Sequence, residues 1–403
     1  MLQPSRTLLA LLSLFLVACA ADPPTFKRDT SVNPGYHVER NKVLDANGNV
    51  RMFHGIARPT LEWSTGGENI SKGDFALMAK WNANVVRIGL NQAYWLRTQY
   101  AKGYQQTILQ AVEWAKQAGL DVILDLHWSD RGDASVKPDQ QAMPDQNSLA
   151  FWKSVAEMFK DDGRVLFELY NEPKKVKWEI WLNGGTVSDS YHDNETGQNQ
   201  QVAFEAVGMQ QLYDAVRAKE TTIKHLILIG GIAWAYDLSG VAAYPVKGEN
   251  IMYVTHPYDY GDKQPADWDR AWGYLTETAP VIITEFGSFD CSTKYTQTLI
   301  DYADEHGASW TAWAWYVNGC AFPSIIVDWK GTPSAPGAVV KAALGGYLDG
   351  SRPITWPVAV PRYDAAAPEA RDSAPVDMQT DLQTIDGLRT LDVQGIDTPT
   401  PGG

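Results

Sequence analysis

Two glutamates in this chain close short apolar runs. Glu172 ends Val165-Leu166-Phe167-Glu168-Leu169-Tyr170-Asn171-Glu172-Pro173, and Glu285 lies in Val281-Ile282-Ile283-Thr284-Glu285-Phe286-Gly287. A short buried strand needs no charge, so a carboxylate at its end is either a loop cap or a reagent. Pro173 keeps Glu172 out of the helical region and stops the run, which holds that carboxylate at a rigid edge. Two carboxylates, each ending its own buried strand, are what cleavage of a glycosidic bond needs: one carries a proton while the other attacks or activates water. Further groups stand at the ends of other apolar runs: Arg87, His127, Asn171, His256 with Tyr258, and Trp313 or Trp315. Taken singly, Arg87 reads as a salt-bridge residue, the histidines as satisfied core residues and the tryptophans as filling. Taken together at successive run ends, they read as the rim of one site.

An alternation of strands and helices must position them. Apolar runs begin at Phe53, Val85, Val122, Val165, Leu226, Ile251, Val281 and Trp310, each of strand length and nearly unbroken, as parallel strands buried on both faces should be. Between them lie residues at the spacing of one helical face. These are Ile108, Val112 and Ala115 before Gly119; Leu149, Trp152, Val155 and Phe159; Val202, Ala206, Met209, Tyr213 and Val216; and Tyr295, Leu299, Tyr302 and His306. Eight such units predict an α/β fold, a closed (β/α)8 TIM barrel. Tyr36 to Phe53, with the turn pair Asn47-Gly48, predicts an N-terminal β-hairpin in front of it. An open doubly wound sheet would want a glycine-rich phosphate turn after the first run, and Gly55-Ile56-Ala57-Arg58-Pro59 is not one. In a barrel, Glu172 after the fourth strand and Glu285 after the seventh face each other across a narrow mouth. That predicts the close carboxyl spacing, about 5–5.5 Å, of a retaining enzyme. Asn171 beside Glu172 suits an acid that holds its proton, while Arg87 and Tyr258 near Glu285 suit a carboxylate kept ready for attack.

The chain has 403 residues, 44% of them hydrophobic, enough to bury a full core. Its formal charge is −14 with no basic run, which argues against a nucleic-acid partner. Residues 1–18 read as a signal peptide, with Arg6 before an apolar stretch too short to span a membrane. Leu16-Val17-Ala18-Cys19 looks like a bacterial lipoprotein box, in which a lipid on Cys19 would be the one membrane attachment. The protein is then expected to be exported, either on the cell envelope as a lipoprotein or secreted. Residues 19–35 read as a tether, 36–350 as the catalytic domain and 351–403 as a disordered acidic tail. With Cys19 set aside, Cys291 and Cys320 remain, and export favours a disulfide between them. They lie in the loops leaving the seventh and eighth strands, which start side by side.

At these residues the chain resembles the family 5 glycoside hydrolases, over about residues 36–350. Asn171-Glu172-Pro173 is similar to the family's acid/base motif, and Thr284-Glu285-Phe286-Gly287 to its nucleophile motif. Val86-Arg87-Ile88, Asp125-Leu126-His127-Trp128, His256-Pro257-Tyr258 and Trp310 to Trp315 are similar to its substrate-side motifs. The resemblance implies Glu172 as acid/base, Glu285 as nucleophile, and Arg87, His127, Asn171, His256, Tyr258 and Trp315 as substrate-binding residues, with neither cofactor nor metal. Trp315 is preferred to Trp313 as the sugar platform because it lies nearer the mouth. The first strand, His54-Gly55-Ile56-Ala57-Arg58-Pro59, departs from the family's usual Arg-Gly-hydrophobic-Asn, which leaves the sugar open. Many of the 16 tryptophans support a polysaccharide. Trp63, Trp95, Trp128, Trp178, Trp181, Trp234 and Trp315 fall at or beyond run ends, where flat aromatics can meet the apolar faces of sugar rings. The expected activity is that of a monomeric endo-β-1,4-glucanase, with a β-mannanase or other β-glycanase as the alternative. A metal-dependent barrel hydrolase on His127 and His256 lacks the His-x-His after the first strand, and a non-catalytic glycan-binding lipoprotein would have lost a glutamate.

Overall fold

The computed structural model describes residues 34–132, 138–193 and 198–355. The expectations for the signal peptide, for Cys19, for the tether up to residue 33 and for the tail beyond 355 lie outside the described residues. The strands are β1 (His37–Glu39), β2 (Lys42–Leu44), β3 (His54–Arg58), β4 (Val85–Asn91), β5 (Asp121–Trp128), β6 (Val165–Glu168), β7 (Gly184–Asp193), β8 (Gln198–Val207), β9 (Ile227–Gly230), β10 (Ile251–Thr255), β11 (Val281–Ile283) and β12 (Ser309–Ala312). The α-helices are α1 (Lys72–Lys80), α2 (Gln92–Leu96), α3 (Thr98–Gln117), α4 (Gln146–Phe159), α5 (Trp178–Asn183), α6 (Met209–Arg217), α7 (Pro265–Ala271), α8 (Thr293–Glu305) and α9 (Ala335–Asp349).

Eight parallel strands close on themselves in the order β3-β4-β5-β6-β9-β10-β11-β12, and β12 pairs with β3 through Trp310 and His54. All eight predicted runs are barrel strands. Their side chains are buried on both faces because helices cover the outside and a second apolar layer fills the inside. That inner layer joins Phe53, Val85, Ile123, Leu166, Leu228, Val254 and Ile282. The N-terminal hairpin β1–β2 plugs it from below through Val43, and Asn250 Oδ1 accepts from the Val38 amide at 2.9 Å. The hairpin turns at Arg40-Asn41, not at Asn47-Gly48, which makes a second turn next to the Leu44–Val50 bridge. Local chemistry sets the helix starts: Ser71 caps α1, Asp145 caps α4 and Ser334 caps α9 through their side-chain oxygens.

Two expectations are corrected here. Val202 and Ala206 are not helical; they belong to β8, which pairs with β7 in a long antiparallel hairpin inserted between β6 and β9. Their spacing of four fits one face of a strand as well as one face of a helix, so periodicity could not separate the two. The second concerns residues 351–355, which fold back on the barrel instead of beginning a tail. Arg352 pairs with Asp301 at 2.6 Å and with Asp304, and the Thr355 amide donates to the Asp304 carbonyl at 3.0 Å.

Cys291 and Cys320 are joined by a disulfide with Cα atoms 5.1 Å apart, tying the loop after β11 to the loop after β12.

Candidate active site

Arg87, on β4, is fully enclosed and organises the floor of the barrel mouth. Its guanidinium donates to Glu168 at 2.7 and 3.0 Å, to Glu285 at 2.5 Å and to Asn171 Oδ1 at 2.7 Å, and Asp125 lies 2.9 Å away. Burial opposes its charge, but the surrounding carboxylates hold the guanidinium well above its ordinary range. Asn171 is therefore fixed by Arg87 and not by Glu172, and the bond to Oδ1 turns its NH2 group the other way. Tyr258 donates to the second oxygen of Glu285 at 2.6 Å. Both oxygens of that carboxylate are thus held, one by a cation and one by a phenol.

Glu172 is held from the other wall. His256 Nδ1 lies 2.9 Å from Glu172 Oε1, and Gln140 donates to Oε2. His256 Nε2 meets Thr284 Oγ1 at 2.8 Å, and that hydroxyl donates to Glu168 at 2.9 Å. One chain of polar contacts therefore runs Glu172–His256–Thr284–Glu168–Arg87–Glu285 across the mouth. Glu172 keeps 12% and Glu285 5% of its side-chain surface, whereas Glu168 and Asp125 keep none, so only the first two can meet a substrate.

The electrostatics correct one expectation. Burial favours the neutral form of Glu172, but the hydrogen bond and charge of His256, with Gln140 and Lys263, bring its carboxyl down to about 2. Glu168 is likewise brought to about 2, burial being outweighed by Arg87 and His256. Burial opposes the charge on His256, yet Glu285, Glu168 and Glu172 push it up to about 9. In the free protein the proton expected on Glu172 thus resides on the neighbouring imidazole.

These directions fix a stability profile. His256 holds its proton more tightly folded than unfolded, so its contribution is complete below its ordinary 6.5 and is lost as the pH rises through about 9. Glu172 and Glu168 release theirs more readily when folded, so their contribution is complete above their ordinary 4.5 and is lost as the pH falls through about 2. All three contribute in full between 4.5 and 6.5. Thermal melts should show a plateau there and a decline toward pH 9 that shrinks in His256→Asn. An identical alkaline decline in that variant would show that another group causes it.

His127, on β5, donates Nδ1–H to Asp125 at 2.6 Å and so turns Nε2 toward the mouth. Its ring lies parallel to Trp313, centroids 5.8 Å apart. Trp313, partly exposed, is the residue of the last strand's end that faces the site. Trp315 is not a sugar platform: it is fully buried, donates Nε1–H to Asp74 at 2.7 Å and packs edge-on against Trp81. Of the other expected platform residues, Trp95 and Trp181 are also fully buried, while Trp63, Trp128, Trp178 and Trp234 stay partly open.

The structure thus brings Arg87, His127, Asn171, Glu172, His256, Tyr258 and Glu285 together and excludes Trp315. It adds Glu168, Asp125, Thr284 and Gln140, which the sequence reading had not picked out. Gln140 comes from the loop between β5 and α4, which the β7–β8 hairpin clamps. Asp189 accepts from the Ala142 amide at 2.7 Å and the Val207 amide donates to the Pro144 carbonyl at 3.0 Å. Glu172, His256 and Glu285 offer donor atoms within 4.8 Å of one another, a distance at which a cation could be shared. Each of those atoms already has a hydrogen-bond partner, and Arg87 sits against Glu285, so a metal would have to displace the whole arrangement.

A closed parallel barrel with two facing carboxylates at the C-terminal ends of its strands defines the glycoside hydrolase class of site. The chain belongs to the cellulase family, glycosyl hydrolase family 5, which it matches over residues 44–319. It is similar to Endoglucanase 5 of Pectobacterium carotovorum subsp. carotovorum, 24% identical over 290 residues that cover 69% of this chain and 49% of that protein. An endoglucanase of Paenibacillus polymyxa is 24% identical over 355 residues, 74% of this chain and 84% of that protein. The chain spans about half the length of several of these relatives. Its fold is shared with a β-glucanase from Saccharophagus degradans solved in complex with cellotetraose, at a TM-score of 0.63 and 24% identity, covering 81% of this chain and 98% of that one.

Proposed function

We propose that the protein is an endo-β-1,4-glucanase that works by double displacement, with Glu285 as nucleophile and Glu172 as acid/base. The observation that carries this is the approach of the two carboxylates, whose nearest donor oxygens lie within 4.8 Å. That is close to the ~5–5.5 Å of retaining enzymes and short of the roughly 6.5–9.5 Å at which inverting enzymes hold a water opposite the leaving group. The endoglucanase relatives and the cellotetraose-bound β-glucanase support glucan as the substrate, while a mannan endo-1,4-β-mannosidase of Salipaludibacillus agaradhaerens, 22% identical, keeps mannan in the comparison.

Glu172 and His256 carry one proton between them. As the sugar enters, that proton moves along the 2.9 Å contact to Glu172 and then to the leaving oxygen while the C1–O bond breaks and Glu285 bonds to C1. Ester formation consumes the Glu285 charge, the first support of protonated His256, so the imidazole stays neutral and Glu172 becomes a base. Water then attacks C1, gives its proton to Glu172 and releases Glu285. Proton NMR in the first minutes of turnover should show the β-anomer as the first product. The α-anomer appearing first would sink double displacement, and scoring purified glucans and mannans for released reducing ends decides the sugar.

The disulfide supports export to an oxidising compartment. We place the mature protein on a bacterial envelope through a lipid on Cys19, acting as a monomer. Intact-mass measurement of membrane-extracted protein should give an acylated terminus at Cys19, and an unmodified thiol there would overturn the anchor.

A further inference from the structure

Lys174 and Lys263 are nearly enclosed, with 8% and 4% exposure, and the mechanism above uses neither as a reagent. Burying an ammonium is costly unless an anion meets it. Among the described residues neither forms an ion pair. Lys174 Nζ donates to the Gln140 carbonyl at 2.9 Å and lies 4.0 Å from the centroid of the Trp234 ring. Lys263 Nζ lies 5.1 and 5.9 Å from the ring centroids of Tyr236 and Tyr260. Their carboxylate neighbours act only at range: Asp189, Asp139 and Glu172 on Lys174, and Glu172, Asp262 and Glu285 on Lys263. Burial outweighs them, and both ammonium groups are held below the ordinary lysine range.

Both lysines lie on one half of the mouth. Lys174 follows β6, Lys263 follows β10, and Trp234 follows β9 between them. An acid/base residue protonates the leaving oxygen, so the sugars on the Glu172 side of the cleaved bond are those that depart. The half-open aromatic group of Trp63, Trp128, Trp313 and Tyr316 follows β3, β5 and β12 on the opposite side.

The backbone at Trp234 is strained. Ala233, Trp234 and Ala235 have φ of 56°, 63° and 54°, three successive left-handed residues with side chains, at about 1–2 kcal/mol each. The turn is pinned at its base by the paired Ile232–Asp237 backbone bonds of 3.1 and 3.0 Å and by the Trp234 amide donating to the Pro173 carbonyl at 2.9 Å. Strain of this kind persists where the surroundings over-determine it, commonly at ligand clamps. Here it lays a partly exposed indole over Lys174, two residues beyond Glu172.

We infer that the leaving-group half of the cleft is built for a carboxylate-bearing sugar, so that the protein cuts β-glucan where a uronate residue lies one or two places beyond the cleaved bond. Trp234 offers a face for the ring, and Lys263 and Lys174 supply the charge that the carboxylate completes. The inference rests on the reading of Glu172 as acid/base.

The test uses the purified protein on soluble cellulose sparsely oxidised at C6 to glucuronate, beside the unoxidised parent. Early products are sequenced by mass spectrometry. A sugar that sat beyond the cleaved bond becomes the new non-reducing end. Uronate should be enriched there or at the next residue by about tenfold over its random frequency, as one charge-assisted contact gives. Lys263→Met and Lys174→Met, which keep the aliphatic stem, should flatten that distribution. The wild-type pattern decides alone should a variant fail to fold. Random or depleted uronate at those positions, with both polymers cut, overturns the inference and leaves the proposed activity standing. Cutting of neither polymer removes both.

Discussion

Replacing Glu285 with glutamine should lower the rate of glucan cleavage by more than about a thousandfold while cellotetraose binding persists. The amide keeps the shape of the side chain and one acceptor for Arg87 or Tyr258, so the floor of the site stays in place, but it cannot attack C1. The same experiment assigns the two roles if a dinitrophenyl β-cellobioside is added. Its leaving group departs without a proton, so Glu172→Ala should still release a burst of dinitrophenol and then stall, whereas Glu285→Gln should release none. A burst from Glu285→Gln, or glucanase activity within tenfold of wild type, would mean that the nucleophile has been misassigned.

The second large effect is on stability and activity together. Arg87 meets Glu168, Glu285, Asp125 and Asn171 at once, and Glu168 and Asp125 have no surface left through which water could replace it. Arg87→Leu strands those carboxylates in the barrel. Removing one partner of a buried pair costs about 3–5 kcal/mol, because the remaining charge is uncompensated. We expect a fall in melting temperature on the order of 10 °C and a loss of activity of at least about a hundredfold. Arg87→Lys should recover little, since one ammonium cannot make the forked contact with Glu168 and still reach Glu285. A variant melting within about 2 °C of wild type would show that the carboxylates find other partners or take up protons at little cost.

The barrel was legible because its strands are buried on both faces and read as apolar runs, each ending in a polar group. His127, Glu172, His256 and Glu285 stood out for the same reason, while Arg87, which lies inside β4 and not at its end, stood out through the resemblance of Val86-Arg87-Ile88. Glu168 and Asp125 did not, because a carboxylate inside a run is indistinguishable in sequence from a residue on the outer face of a strand. Gln140 carried no signal at all: it lies in a polar loop and reaches Glu172 only because the β7–β8 hairpin clamps that loop. The choice of Trp315 over Trp313 failed for a geometric reason. The strand ends at Ala312, so beyond it a later position in the chain no longer means a position nearer the mouth. The proton on Glu172 was misplaced because His256 lies 84 positions away in sequence.

The closure of the barrel also sets an order of events during synthesis. The Phe53 amide bonds to Ser309 across 256 positions, and Arg87 reaches Glu285 across 198. Contacts so distant in sequence form late, after the intervening chain has lost its freedom. A growing chain that has made everything through α7 still lacks Glu285, the proposed nucleophile, and so has no partner for Tyr258 and an open seam beside β3. The catalytic centre therefore comes into being in one step, when β11 and β12 dock and the disulfide can form behind them. Until then the nascent polypeptide lacks one of the two facing carboxylates, however much of the rest of the mouth is already in place.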